Sequence, residues 1–263
     1  MHDFSAIEEA VSRAGLSARN RQKELEISIK KDGSVLTQVD LATEKLLTRV
    51  IRSEFPEANI VSEEYPSEFR SGRELTFTID PIDGTDSYSQ GMPGWCVAVG
   101  ILDSSLEPVG GIIAAPRWGV DADRGVFVSA LPGGDVKIRG AVLNSSEKVS
   151  GAGNQLLVGS KVHRRYDISR YPGKIRSFGS SVLHILSPLI HSAIEGALIP
   201  PAYIWDIAAA HGLIRRYGLI LEYMNGSPIR YQTMVHRQLA AHHMVCGTES
   251  VIRTIRKHTC DQA

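Results

Sequence analysis

The stretch 78-TIDPIDGTDSY-88 places three aspartates within seven residues, two of them separated only by Pro81 and Ile82. Carboxylates this close repel one another, and here they cannot easily swing into water. They end an apolar strand-like run, Pro81 stiffens the link between Asp80 and Asp83, and Gly84 makes a turn. Repulsion between fixed carboxylates is most simply relieved by a bound cation. With only oxygen donors and no neighbouring His or Cys, the donor set favours a hard ion, Mg²⁺ before Mn²⁺ or Ca²⁺. Gly84-Thr85 can open a helix whose free N–H groups face an anion, the usual setting for a phosphate. Thr85 adds a hydroxyl able to orient a water. Hydrolysis of a phosphate ester would use one metal to generate hydroxide and another to stabilise the leaving oxygen. The plainer reading, that each acid is a helix cap or a solvated strand end, is favoured for Asp40 taken alone. It is weaker for Asp80 and Asp83 together.

Composition narrows the classes. The chain has 263 residues, 43% apolar and 22% charged, and Lys plus Arg equals Asp plus Glu at 29 each. That balance carries no basic excess for nucleic acid or an anionic membrane surface. No apolar run approaches the roughly 18 residues needed to cross a bilayer. The acidic, amphipathic start MHDFSAIEEAVSRAG does not read as a secretory signal. Cys96, Cys246 and Cys260 are odd in number and scattered, which fits reduced thiols in a cytoplasmic protein.

Periodicity predicts a helix over 4–14, a turn at Lys30–Ser34, and a helix from Leu41 to Phe55 stopped by Pro56. Strands are predicted at 59–64, 75–82, 95–102, 108–116 and 125–131. Around 144-NSSEKVSGAGN-154 the chain turns polar. Beyond it are expected a strand at 156–160, helices at 180–195 and 205–217, and strands at 219–223 and 243–248. Antiparallel-looking strands first and alternating α/β later suggest an α+β half, residues 1–145, fused to an α/β half, residues 146–263.

The pair 80-DPIDGT-85 and 205-WDIAAAH-211 resembles the signature of the inositol monophosphatase superfamily, the Mg²⁺-dependent, lithium-sensitive phosphatases. The resemblance extends to 31-KDGSVLTQVDLATE-44, 61-VSEE-64 and 176-RSFGSS-181, in the family's order and spacing. It implies the layered α+β and α/β sandwich of inositol monophosphatase and fructose-1,6-bisphosphatase-like proteins, and a homodimer. It further implies that Glu63, Asp80 and the carbonyl of Ile82 bind one metal, and that Asp80, Asp83 and Asp206 bind a second. A third, weaker ion is implied near Glu63. Thr85, hydrogen-bonded to Asp40, would activate the attacking water together with Glu63. The N–H groups of Gly84 and Thr85 would hold the phosphate of a small metabolite, with Ser177 and Ser180 as nearby substrate contacts.

The substrate side departs from that pattern. Where many relatives carry a glutamate that grips inositol hydroxyls, seven residues before Asp206, this chain has Ile199. An isoleucine cannot accept such a hydrogen bond. Asp86, an extra carboxylate after Thr85, could meet a substrate amine, as in histidinol phosphate, or favour the helix N-terminus. The turn at 31–40 resembles the histidinol-phosphate and 3′-phosphoadenosine 5′-phosphate phosphatase branches. A partner-binding regulator on the same fold is the competing class. His184 and His191, seven apart on one apolar helix, read as satisfied or partly exposed helix histidines, and 161-KVHRR-165 as a solvated face.

Overall fold

A computed structural model describes residues 2–119, 125–143 and 153–261. Residues 144–152 of the polar stretch, and with them the expected boundary at 145/146, lie outside the described residues.

The chain stacks in layers. Helices α1 (Ser5–Arg21) and α2 (Gln38–Glu54) pack on each other, joined through a hairpin of β1 (Ile27–Ile29) and β2 (Val35–Thr37). Both cover one face of a seven-stranded sheet made of β3 (Asn59–Ser62), β4 (Thr76–Asp83), β5 (Cys96–Leu102), β6 (Pro108–Ala115), β7 (Val126–Ala130), β8 (Lys137–Ile138) and β9 (Ala141–Val142), in that order. Among the described residues only β3 and β4 are parallel; the other pairs of that sheet are antiparallel. Helix α3 (Thr85–Ser89) is a short turn leaving β4.

A second, mixed sheet runs in the order β12 (Lys174–Arg176), β10 (Gln155–Val158), β13 (Ile194–Ile199), β15 (Met244–Gly247), β14 (Ile220–Tyr223). A small ladder pairs β11 (Tyr166–Asp167) with β16 (Cys260–Asp261). Helices α4 (Ser181–Ile190) and α5 (Ala208–Ile214) fill the space between the two sheets. Helix α7 (Glu249–His258) covers the outer face of the second sheet, and α6 (Tyr231–Met234) is a single turn.

Strand alternation explains the layers, because successive side chains point to opposite faces. On β5, Val97, Val99 and Ile101 join Phe4, Ile7, Val11 and Leu47 of the outer core. Cys96, Ala98 and Leu102 face the inner core with Leu183, Ala209 and Leu213. On β13, Ala197 and Ile199 face inward and Leu198 outward, against Ile252 and Ile255 of α7.

Several boundaries move for local reasons. α1 runs past Ala14 because Gly15 lets the helix approach the sheet: a Cβ there would sit 2.9 Å from the Ala114 Cβ. α2 begins three residues before Leu41, at a Thr37 cap whose partner is Asp40. The helix expected over 180–195 ends at Ile190, and its last residues belong to β13, an apolar run that periodicity reads equally as helix. The run 208-AAAHG-212 packs unusually close to the sheet; a Cβ on Gly111 would lie 2.2 Å from the Ala209 carbonyl oxygen, and one on Gly212 2.4 Å from that of Gly110. This seam of small residues seats α5 directly on β6, and Asp206, in the turn before α5, reaches the acids at the end of β4.

Ile199, the position where a substrate-facing glutamate was expected, ends β13 opposite Met244 and is 0% exposed. It belongs to the core, so Ile199→Glu should bury an unpaired carboxylate and destabilise the protein by about 3–5 kcal/mol. Chemical denaturation checks this; an unchanged midpoint would mean that Ile199 opens to solvent.

Candidate active site

Asp80 and Asp83 are three residues apart, a spacing that would put them on opposite faces of a regular strand. They share a side because β4 carries one extra residue here. Asp80 pairs with Ala98 and Asp83 with Cys96, so three steps on β4 match two on β5. Pro81, which could not donate to the ladder of this internal strand, sits inside that bulge. The bulge, not the proline alone, aims both carboxylates inward.

Asp206 joins them from the turn before α5, and one oxygen from each of Asp80, Asp83 and Asp206 lies within 4.8 Å of the others. Asp80 and Asp83 are 1% and 5% exposed. Asp83 accepts the Ser180 hydroxyl and the N–H groups of Val182 (2.8 Å) and Ser181 (3.3 Å), so it sits on the positive end of α4. Asp206 accepts the Tyr203 N–H at 2.6 Å. Asp80 differs: its Oδ1 is buried and has no hydrogen-bond partner among the described residues. An orphaned anionic oxygen facing two further carboxylates is what a hard cation fits, and no histidine or cysteine belongs to the cluster.

The other expected residues surround this corner. Glu63, just past β3, and Glu64 both pair with Lys30 from the β1–β2 turn, at 2.8 and 2.6 Å. Asp40, 0% exposed, accepts the Thr37 N–H at 2.9 Å through Oδ2 and closes a capping box. The cap reading of Asp40 therefore holds, yet its other oxygen is turned to the site: the Thr85 hydroxyl lies 3.3 Å from Asp40 Oδ1 and donates to the Ile82 carbonyl at 2.8 Å. Gly84 takes φ +91°, and a Cβ on it would stand 2.8 Å from the Gly94 carbonyl oxygen. Gly84→Ala is therefore expected to lower phosphate release at least about 100-fold, because backbone strain and the clash together displace Thr85. Kinetics on the purified variant check this; near-normal turnover would show that the turn is not part of the site.

The electrostatics follow from burial. It pushes Glu63 up to about 7, with Lys30 opposing and Glu64 adding to the rise. Asp83 is pushed up to about 6, its Ser180, Val182 and Ser181 donors holding it back. Burial first, then the charges of their neighbours, hold Asp80 and Asp206 well above the usual carboxylate range. Asp40 is also raised by burial, against the pull of the Thr37 donors. Burial opposes charge on Lys30, but Glu63 and Glu64 together hold its ammonium firmly protonated.

Asp86 is exposed and accepts from Gln90 at 3.0 Å, as an acid in a first helical turn does. Ser180 is buried against Asp83, whereas Ser177 is exposed and lines a cavity of about 560 Å³ with Arg117, Trp118, Arg176 and Phe178 rather than with the carboxylates. His184 accepts the Phe178 N–H at 2.9 Å and is pushed down to about 4 by burial; His191 accepts from Trp118 at 2.7 Å. Neither reaches the acids. Lys161, His163 and Arg164 are exposed, and Cys96 and Cys246 are buried free thiols. Lys30, Glu44 and Arg237 escaped the sequence reading as site residues. Glu44 alone left a sign, four residues after Asp40 and so on the same face of α2.

A family model described as the inositol monophosphatase family matches residues 3–259. A Nus factor SuhB of Pasteurella multocida is 24% identical over 245 residues, which span 89% of this chain and 86% of that protein. A histidinol-phosphatase of Mycobacterium tuberculosis is 25% identical over 218 residues, 77% of this chain and 79% of that one. Among solved structures, an IMPase of Thermotoga maritima gives a TM-score of 0.74 at 19% identity and covers 95% of both chains. The extragenic suppressor protein SuhB of Bartonella henselae gives 0.75 at 18% identity and 97% of both.

Proposed function

Since the chain belongs to the inositol monophosphatase family, we propose that it is a Mg²⁺-dependent phosphomonoesterase acting on a small soluble metabolite, through in-line attack of water without a protein nucleophile. The observation that carries this reading is the convergence of Asp80, Asp83 and Asp206 around the partnerless Asp80 Oδ1, beside the Gly84–Thr85 turn. Asp80, Asp83, Asp206 and Glu63, with the Ile82 carbonyl, would hold two or three ions, Mn²⁺ being the nearest substitute. A divalent cation bound there supplies the positive charge that lowers the pKa of a water and offsets the charge of a phosphate.

The protein's own groups do the rest. The Thr85 hydroxyl, whose one proton goes to the Ile82 carbonyl at 2.8 Å or, turned, to Asp40 Oδ1 at 3.3 Å, keeps lone pairs free to accept from a water in the corner. Asp40, buried and of raised pKa, is a better proton acceptor than a solvated aspartate, and Glu63 shares that role. The N–H groups of Gly84 and Thr85 would hold the phosphate oxygens. Ser180 would act through Asp83, whereas Asp86 and Ser177 remain candidates for the substrate's far end. A cytoplasmic homodimer inhibited by Li⁺ completes the reading on the family resemblance. Among the described residues no helix is long and apolar enough to cross a membrane.

Phosphate release from inositol 1-phosphate, histidinol phosphate, fructose 1,6-bisphosphate and 3′-phosphoadenosine 5′-phosphate tests the substrate class. One substrate cleaved far faster than the rest would name the branch. The relatives called Nus factors favour a second reading, a partner-binding regulator; uniformly negligible turnover would shift the weight to it. The complete carboxylate set supports catalysis.

A further inference from the structure

We propose that Glu44 and Arg237 are positioning residues, a two-sided clamp that fixes the Glu63 loop to the carboxylate corner and so sets the affinity for the cation. The proposal rests on the metal-dependent reading above. Glu63 follows directly on the end of β3 and has no strand partner of its own to aim it beyond its N–H, which donates to Ile79 at 3.2 Å. Two charged side chains take over its backbone from opposite sides.

From α2, the fully buried Glu44 accepts the Ser62 hydroxyl at 2.6 Å, the Glu64 N–H at 2.8 Å and the Tyr65 N–H at 2.7 Å. From the turn after α6, the Arg237 guanidinium donates to the carbonyls of Ser62 and Glu63, the latter at 2.7 Å. Acceptors on one side and donors on the other leave the loop no free rotation about residues 62–65. Charge-assisted hydrogen bonds of this kind are about twice as strong as neutral ones.

Arg237 also reaches the opposite wall of the site. Its guanidinium carbon lies 4.8 Å from the centre of the Trp205 ring, and Trp205 stacks on Tyr203 at 4.7 Å. Tyr203 is the residue whose N–H holds Asp206. One side chain thus ties the Glu63 loop to the Asp206 turn, two ligand-bearing segments far apart in sequence. To do so Arg237 adopts φ +60°, a left-handed conformation that a side-chain-bearing residue rarely takes. Such strain persists where surrounding contacts over-determine the backbone, and it concentrates at functional sites.

Calorimetric titration of Mg²⁺ into the full chain tests the clamp. Arg237→Met keeps the apolar stem over Trp205 but removes every donor; Arg237→Gly also relieves the left-handed strain, so it folds if the methionine variant does not. Both should bind Mg²⁺ about tenfold or more weakly, as loss of groups that orient metal ligands usually does. Glu44→Gln, which turns a donor toward N–H groups, should weaken binding in the same way. Ile252→Ala, in the distant outer core, should lose thermal stability without losing Mg²⁺ affinity. The Mg²⁺ concentration for half-maximal phosphate release should rise in the Arg237 variants in parallel with the weaker calorimetric affinity. Unchanged Mg²⁺ affinity in folded Arg237→Gly would overturn the clamp. A wild-type protein that binds no Mg²⁺ would instead overturn the metal reading itself, and the clamp with it.

Discussion

Asp80→Asn should reduce Mg²⁺-dependent phosphate release on the order of 10³-fold while leaving the protein folded and no less stable. The substitution is isosteric and removes one negative charge. The Asp80 Oδ1 has no hydrogen-bond partner among the described residues, so a change confined to that atom removes no hydrogen bond. Burial, Glu63, Asp83 and Asp206 all hold the Asp80 carboxyl above its usual range. A group whose folded pKa is raised favours folding when protonated. Its stabilising effect is full below the unfolded value of 3.8 and is lost as pH rises through the folded one. Before metal is added, the wild type should therefore lose stability as pH climbs through that window, and Asp80→Asn should lose less. Added Mg²⁺ should recover stability in the wild type, by about 2.7 kcal/mol at a hundred times Kd, and little in the variant. Melting curves across pH, with and without Mg²⁺, check both halves. A variant that melts earlier at every pH would assign Asp80 a structural role instead.

The sequence alone makes Asp83→Asn look equally clean, with the fold left intact. The structure separates the two. Asp83 accepts three donors at the start of α4, so an amide in its place would set a donor against donors. Loss of activity in that variant would mix a missing ligand with a disturbed helix end.

Thr85→Val is expected to lower kcat about 100-fold or more with little change in stability, because it deletes the hydroxyl that links Asp40 to the Ile82 carbonyl while keeping the side chain's shape. One partly exposed hydrogen bond is worth about 1 kcal/mol to the fold. Thr85→Ser, which keeps the hydroxyl, should retain activity within about tenfold. Steady-state kinetics and a melting curve on each variant decide it. Equal losses in Val and Ser would point to packing around the methyl group rather than to proton handling.

The acids of this site were legible because their spacing is constrained by chemistry: 80-DPIDGT-85 can hardly serve a solvated loop, and 205-WDIAAAH-211 repeats the theme with a run of small residues. The small run proved to have a packing reason as well, the close seat of α5 on β6. What the sequence did not show was geometry produced between segments. The bulge that aligns Asp80 with Asp83 depends on pairing with β5, which no local pattern reports. Arg237 is one arginine among many until the fold brings it to Ser62 and Glu63. Ile199 failed in the other direction, a linear offset mistaken for a place at the substrate, when strand alternation puts it in the core. Strand β13 went unpredicted, only its first two residues falling within the helix expected over 180–195, because a short apolar run carries no period of its own.

Metal-assisted hydrolysis by the carboxylate corner is best checked by phosphate release from the four-substrate panel with Mg²⁺ and after chelation, wild type beside Asp80→Asn. The wild type should release phosphate from at least one substrate, lose that release on chelation and regain it with Mg²⁺, and Asp80→Asn should release on the order of 10³-fold less. Release that survives chelation, or that Asp80→Asn performs as well as the wild type, would contradict it.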